Sequence, residues 1–181
     1  MCRYGFKIYK SHFACFSCRK TFKQVPYTDL LKKTGKSDFY RKLMHKSMNK
    51  WTDKERAQYE ELQNNFVNRV IKCPECESPM ADLGKDFRSP RKTAVKEWKI
   101  IEGLYTIGTS FYSCGCNGPG YIPKNPLDYV AYLNKVLQCY EEQMTGWQSR
   151  PLQESRDKLQ HIHYWNERAE LVRKELALVS K

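Results

Sequence analysis

Phe13-Ala14-Cys15-Phe16-Ser17-Cys18-Arg19-Lys20-Thr21-Phe22 and Ile71-Lys72-Cys73-Pro74-Glu75-Cys76 are the two stretches that decide how this chain folds. Each holds two cysteines separated by two residues, and a third, tighter pair follows at Cys114 and Cys116. Six of the eight cysteines fall in these three pairs. Two thiolates this close can grip one tetrahedral metal ion from a single turn, and two such turns complete a four-sulfur site. Disulfide frameworks do not need that spacing. The pairs therefore predict a structural Zn2+ and a reducing, cytoplasmic setting.

Which pairs combine is open at this level. In one arrangement Cys15, Cys18, Cys73 and Cys76 share the ion, because both turns have an incoming β-like segment and an outgoing Phe22 or Met80. In the other, Cys73 and Cys76 join Cys114 and Cys116, and the first pair recruits Cys2 or His12. Under the first arrangement Cys114 and Cys116 either build a second site with Cys2, Cys139 or a histidine, or are ordinary small residues beside glycines. His161 and His163 lie two apart on a predicted helix, so they point apart and make a poor metal pair.

The two quoted stretches resemble the knuckles of zinc ribbons, the rubredoxin-type zinc-binding fold, over about a fifth of the chain (residues 4–24 and 70–90). The resemblance implies a small antiparallel sheet closed by zinc, in a family that serves ribosomal, transcription and RNA-processing proteins and also supplies purely structural staples. Family knuckles carry glycine directly after the second cysteine. Here those positions are Arg19 and Glu77, and residues 19–72 between the pairs exceed the usual ribbon spacing.

Residues 4–24 read as β, with Tyr4, Phe6 and Ile8 alternating before the first pair. Residues 27–70 read as a helical insertion. Thr28 or Asp29 caps its first helix, which stops at Gly35, and Ser37 caps its second, with Leu43, Met44, Met48 and Trp51 as an apolar patch. Thr52-Asp53-Lys54-Glu55 is a capping box opening a third helix with Tyr59, Leu62, Phe66 and Val70 on its inner stripe. Residues 80–87 read as an extended return with a turn or bulge at Gly84, 93–104 as a helix, and 105–112 as a strand. Asn125-Pro126 is a strong helix start. Val130, Leu133, Leu137, Tyr140 and Met144 follow at helical spacing to an end at Gly146. Ser149 and Pro151 open a last helix with Leu159, Ile162, Trp165, Ala169, Val172, Leu176 and Val179 along one stripe. The expected fold is α+β. A zinc-ribbon domain spans 1–124, with the insertion at 27–70, and a helical hairpin spans 125–181.

The charge is sharply placed. The 181 residues carry +12, and residues 1–50 hold 13 Lys or Arg against Asp29 and Asp38, or +11. A charge needed only for solubility would be spread along the chain. Concentrated around the first cysteine pair, it predicts a polyanionic partner. Lys7, Lys10, Arg19, Lys20 and Lys23 interleave with aromatics there, and Lys85, Arg88, Arg91, Lys92, Lys96 and Lys99 form a second basic segment beside Phe87 and Trp98. With no helix-turn-helix or finger helix for a major groove, RNA or the ribosome is the expected partner rather than DNA. No G-x-S-x-G, P-loop or H-E-x-x-H occurs, so no enzyme is expected. No apolar run approaches the ~20 residues that cross a bilayer, and the first residues lack the apolar core of a signal peptide. Two other readings stand beside nucleic-acid binding: a zinc-stapled adaptor that binds protein through its C-terminal helices, and an enzyme whose site uses scattered residues.

Overall fold

A computed structural model describes residues 10–111, 121–151 and 157–180. Lys7, Cys114 and Cys116, and the strand expected around Tyr4 to Ile8, lie outside the described residues. The fold is mixed α+β, and its residues gather into two compact units, 10–86 and 87–111 with 121–180.

The first unit is a three-stranded antiparallel sheet in the order β2-β1-β3, formed by β1 (His12–Cys15), β2 (Lys20–Lys23) and β3 (Ala81–Asp82). Phe13 pairs with Phe22 and Cys15 with Lys20 across β1 and β2, while Ala14 pairs with Ala81 on the other edge of β1. Period-2 alternation puts Phe13, Cys15 and Phe22 on one face. There Phe13 and Phe22 pack with Ile71 against buried Cys15, Cys73 and Met80. This apolar collar is small, as expected for a sheet that needs a second source of stability.

Between β2 and the second cysteine pair the chain inserts α1 (Tyr27–Lys33), α2 (Ser37–Met44), a 3-10 turn (Met48–Lys50) and α3 (Asp53–Val67). The capping box forms in full: the Thr52 hydroxyl accepts from Glu55 N at 3.2 Å, and the Glu55 carboxylate accepts from Thr52 N at 2.9 Å. The other two expected caps do not form. Pro26 and Lys36 hold the N-cap positions, so Thr28, Asp29 and Ser37 fall inside the first turns. Aromatic edges hold the insertion together, with Tyr27 against Tyr40 and Phe66, and Trp51 against Tyr59. Of the expected patch, Leu43 and Trp51 are buried, whereas Met44 and Met48 are exposed. Val70 lies beyond the end of α3 and is exposed. Arg69 closes the base of the insertion: its guanidinium lies over the Phe66 ring and donates to Val25 O at 3.2 Å.

The second unit consists of α4 (Val95–Thr106), α5 (Pro126–Gln148) and α6 (Lys158–Val179). The strand expected over 105–112 does not form in its described part. Helix α4 continues through Thr106 because Ile101, Leu104 and Ile107 keep helical spacing, and all three are buried. Gly108 then ends it at φ +84°, with Thr109 N donating to Leu104 O at 2.9 Å. Such a left-handed exit suits glycine. Asn125 caps α5, its side chain accepting from Asp128 N at 2.9 Å. The helix passes Gly146 and stops at Gln148 instead. Helices α5 and α6 pack as an antiparallel pair. Tyr129 near the start of α5 meets Glu175 near the end of α6, and Trp147 near the end of α5 stacks on His161 near the start of α6 at 4.0 Å. Leu133, Ala169 and Val172 fill the seam, but Leu159, expected on the same stripe, is exposed.

Candidate metal centre

The β1–β2 turn carries Cys15 and Cys18, and the turn between the bridged residues Lys72 and Pro79 carries Cys73 and Cys76. The second turn is built by backbone bonds: Cys73 N donates to Ser78 O at 2.9 Å and Glu77 N to Cys73 O at 2.9 Å. Arg19 (φ +53°) and Glu77 (φ +58°), each directly after the second cysteine of its pair, are left-handed. So the two turns repeat one geometry, and both adopt it without the glycine that would make it easy. The outgoing Phe22 and Met80 pack against the cysteines, as their flanking positions predict.

These turns bring Cys15, Cys18, Cys73 and Cys76 together, with all four sulfurs within 4.8 Å of one another. Cys15 Sγ lies 3.5 Å from Cys76 Sγ, and Cys73 Sγ lies 3.9 Å from Cys18 Sγ. A tetrahedral ion with metal–sulfur bonds of ~2.3 Å would hold its sulfurs ~3.8 Å apart, so the donor set fits such an ion. Cys15 and Cys73 are buried, Cys18 is half-buried and Cys76 is exposed. Cys18 N points at Cys15 Sγ at 3.4 Å, the arrangement in which a backbone donor stabilises a thiolate.

Protonation within the cluster is uneven. Burial, above all, raises the Cys15 thiol. The hydrogen bond with Cys76, followed by burial, pushes Cys18 up to about 12. The Ser78 hydroxyl and then the Ser78 backbone lower Cys76 to about 6. Four crowded sulfurs cannot all ionise unless a cation lies between them. Ser78 is a site residue that the cysteine spacing does not reveal; its signal is a donor placed two residues after the last ligand.

The remaining candidates fall elsewhere. Lys20 forms an ion pair with Glu75 that links the two turns, and the hydrogen bond to Glu75 raises its pKa. His12 turns its Nδ1 to Gly84 O at 3.3 Å, and Cys139 is exposed on α5. His163 pairs with Glu167 at 3.3 Å. Lys10 and Lys23 are exposed in the first unit, and Arg19 is half-buried beside the cluster. In the second unit Arg88, Arg91 and Lys92 are exposed on the segment before α4. The aromatics beside them, Phe87 and Trp98, are core: both are buried, and Trp98 Nε1 donates to Arg91 O at 3.1 Å. Among the described residues no helix is long and apolar enough to cross a membrane. Comparison with protein-family models, curated proteins and solved structures finds no match to this chain, so the site is read from its own geometry.

Proposed function

We propose that this protein is a non-enzymatic, zinc-stapled RNA-binding protein that acts on structured RNA such as the ribosome. The observation that carries the reading is the +11 charge on residues 1–50, the stretch of sequence that contains the first cysteine pair. Bound at Cys15, Cys18, Cys73 and Cys76, Zn2+ would neutralise the thiolates and cross-link the two turns. Four protein ligands leave no open position for an activated water, so the metal's role is structural. Lys10 and Lys23 are the cations of the first unit best suited to phosphates, being exposed and without an acidic partner among the described residues. Lys20 serves the metal centre through Glu75, and the aromatic collar of Phe13 and Phe22 is spent on packing. Arg88, Arg91 and Lys92 offer further phosphate contacts.

The test is charge reversal at Lys7, Lys10 and Lys23, which leaves the Lys20–Glu75 pair in place. The triple glutamate variant should keep its metal and melting temperature while RNA affinity falls by orders of magnitude and its salt slope flattens. Structured and single-stranded RNA should respond alike, because phosphate contacts carry no sequence information. A folded, metal-loaded variant that binds RNA as well as wild type ends the proposal. Absence of wild-type binding at low salt ends it too, in favour of an adaptor that uses α5 and α6.

A further inference from the structure

Glu175 is the one charged side chain buried among the described residues, at 8% exposure. Neither the metal centre nor the basic segments use it. Its carboxylate is oriented by Tyr129, itself buried, whose hydroxyl donates to Oε1 at 3.0 Å. Burial, then the neighbouring carboxylate, raises the Tyr129 pKa, so the phenol keeps the proton that it donates. No other hydrogen bond reaches this carboxylate among the described residues. The one sealed side-chain polar atom without a partner among the described residues is the Tyr27 hydroxyl, so Oε2, which accepts no hydrogen bond from a described residue, stays open to solvent and can accept from a ligand.

The carboxylate lines a cavity of about 580 Å3, well inside the ~300–1,000 Å3 range of small-molecule sites. Ile100, Pro126 and Leu178 supply apolar walls. Gly103 lets Glu175 and Tyr129 pack directly onto α4, because a Cβ there would overlap Glu175 Oε1 and the Tyr129 hydroxyl. At the rim stand Lys96 and Lys99, one turn apart on α4, with Glu102 as the single rim acid. Both lysines are exposed, and neither pairs with a carboxylate among the described residues.

We propose that this cavity binds a guanine nucleotide, the base donating two N–H groups to Glu175 and the phosphate resting on Lys96 and Lys99. A carboxylate only accepts, so the inner end of the ligand must donate. Two oxygens side by side match two parallel N–H groups, as in bidentate carboxylate recognition. Guanine offers that pair on one edge, the ring N1–H beside the exocyclic amine. Adenine and cytosine set their amine beside a ring acceptor, which would face a carboxylate oxygen. Uracil offers one N–H between two carbonyls. The flat base suits the apolar walls, and the two lysines call for an anionic outer end. The site lies within the second unit and does not depend on RNA binding by the N-terminal surface. The protein reversed at Lys7, Lys10 and Lys23 should still bind the mononucleotide.

Calorimetric titration of the full-length, metal-loaded protein decides the matter. GMP should bind at least tenfold tighter than AMP, UMP or inorganic phosphate, with IMP, which lacks the exocyclic amine, in between. Glu175→Gln should weaken GMP at least tenfold. Lys96→Ala with Lys99→Ala should weaken GMP but leave guanosine unchanged. Methyl resonances of Leu178 and Val179 should shift on adding GMP, a readout that needs no variant should Glu175→Gln fail to fold. The proposal is overturned if GMP binds no tighter than AMP or phosphate, or if a folded Glu175→Gln protein binds GMP like wild type. Preferential binding of L-arginine, which carries a similar donor fork on an aliphatic chain, would also overturn it.

Discussion

Tyr129 and Glu175 meet at 3.0 Å, 46 positions apart, over a helix surface that Gly103 leaves bare. Gly103→Ala gains ~1 kcal/mol of helix propensity but drives a methyl into both side chains, an overlap that costs ~1–3 kcal/mol in packed sites. A net loss of about 1 kcal/mol is expected on urea denaturation. Tyr129→Phe should lose ~1–3 kcal/mol, because it strips the buried carboxylate of its donor. Stability equal to wild type in both variants would show that this crossing has slack to relax.

The metal centre should be a condition of folding for the first unit. Cys15→Ser and Cys73→Ser remove buried members of the four-sulfur cluster. Each should lose bound metal and the cooperative unfolding of the sheet, since the apolar collar is small and metal binding is coupled to folding. Cys139→Ser, on an exposed face of α5, should be mild. Elemental analysis of the purified variants and chelator-induced loss of near-ultraviolet dichroism check this. A metal-free wild type that remains folded would refute it.

Arg19 and Glu77 hold left-handed backbone at φ +53° and +58°. Such a conformation costs an L-residue with a Cβ ~1–2 kcal/mol, part of which glycine returns as unfolded-state entropy. Arg19→Gly and Glu77→Gly should therefore each stabilise the metal-loaded protein by about 0.5–1 kcal/mol. Thermal melting at saturating zinc measures it; a lower melting temperature in Glu77→Gly would be the contrary result.

The capping box makes a pH prediction. The hydrogen bond from Lys46, then the Thr52 backbone, holds the Glu55 carboxyl below its usual 4.5. A carboxyl lowered on folding contributes stability above its unfolded pKa and loses it as pH falls through the folded value. Carbon-detected NMR should place the Glu55 midpoint below 4.5, and Lys46→Ala should move it upward. Thr52→Ala should lower stability by about 1 kcal/mol. A Glu55 midpoint unmoved by Lys46→Ala would remove the ion pair from the account.

Local grammar was legible in the sequence wherever one short segment carries its own physics. Each cysteine turn, the Thr52–Glu55 box, the Asn125-Pro126 start and the Ala169–Val172 part of the last helix's stripe is written within a few residues. Past Leu104 the residues Tyr105, Ile107 and Phe111 favour a strand one by one, yet α4 runs on to Thr106. In the fold, burial of Ile107 beside Ile101 and Leu104 outweighs that preference.

Three close cysteine pairs were enough to call for metal-gripping turns, and the gathering of positive charge at the N-terminal end is plain in the residue order alone. That Cys15, Cys18, Cys73 and Cys76 meet is a matter of folding in space, because residues 19–72 separate the two turns and spacing along the chain says nothing about closure. The same holds for Lys20, whose ion pair with Glu75 joins segments 55 positions apart. It holds for Glu175 too: on paper it is one more helix acid, and it becomes a buried acceptor only where α4, bare at Gly103, crosses α5 and α6. Contacts between distant segments depend on packing, which local spacing does not encode.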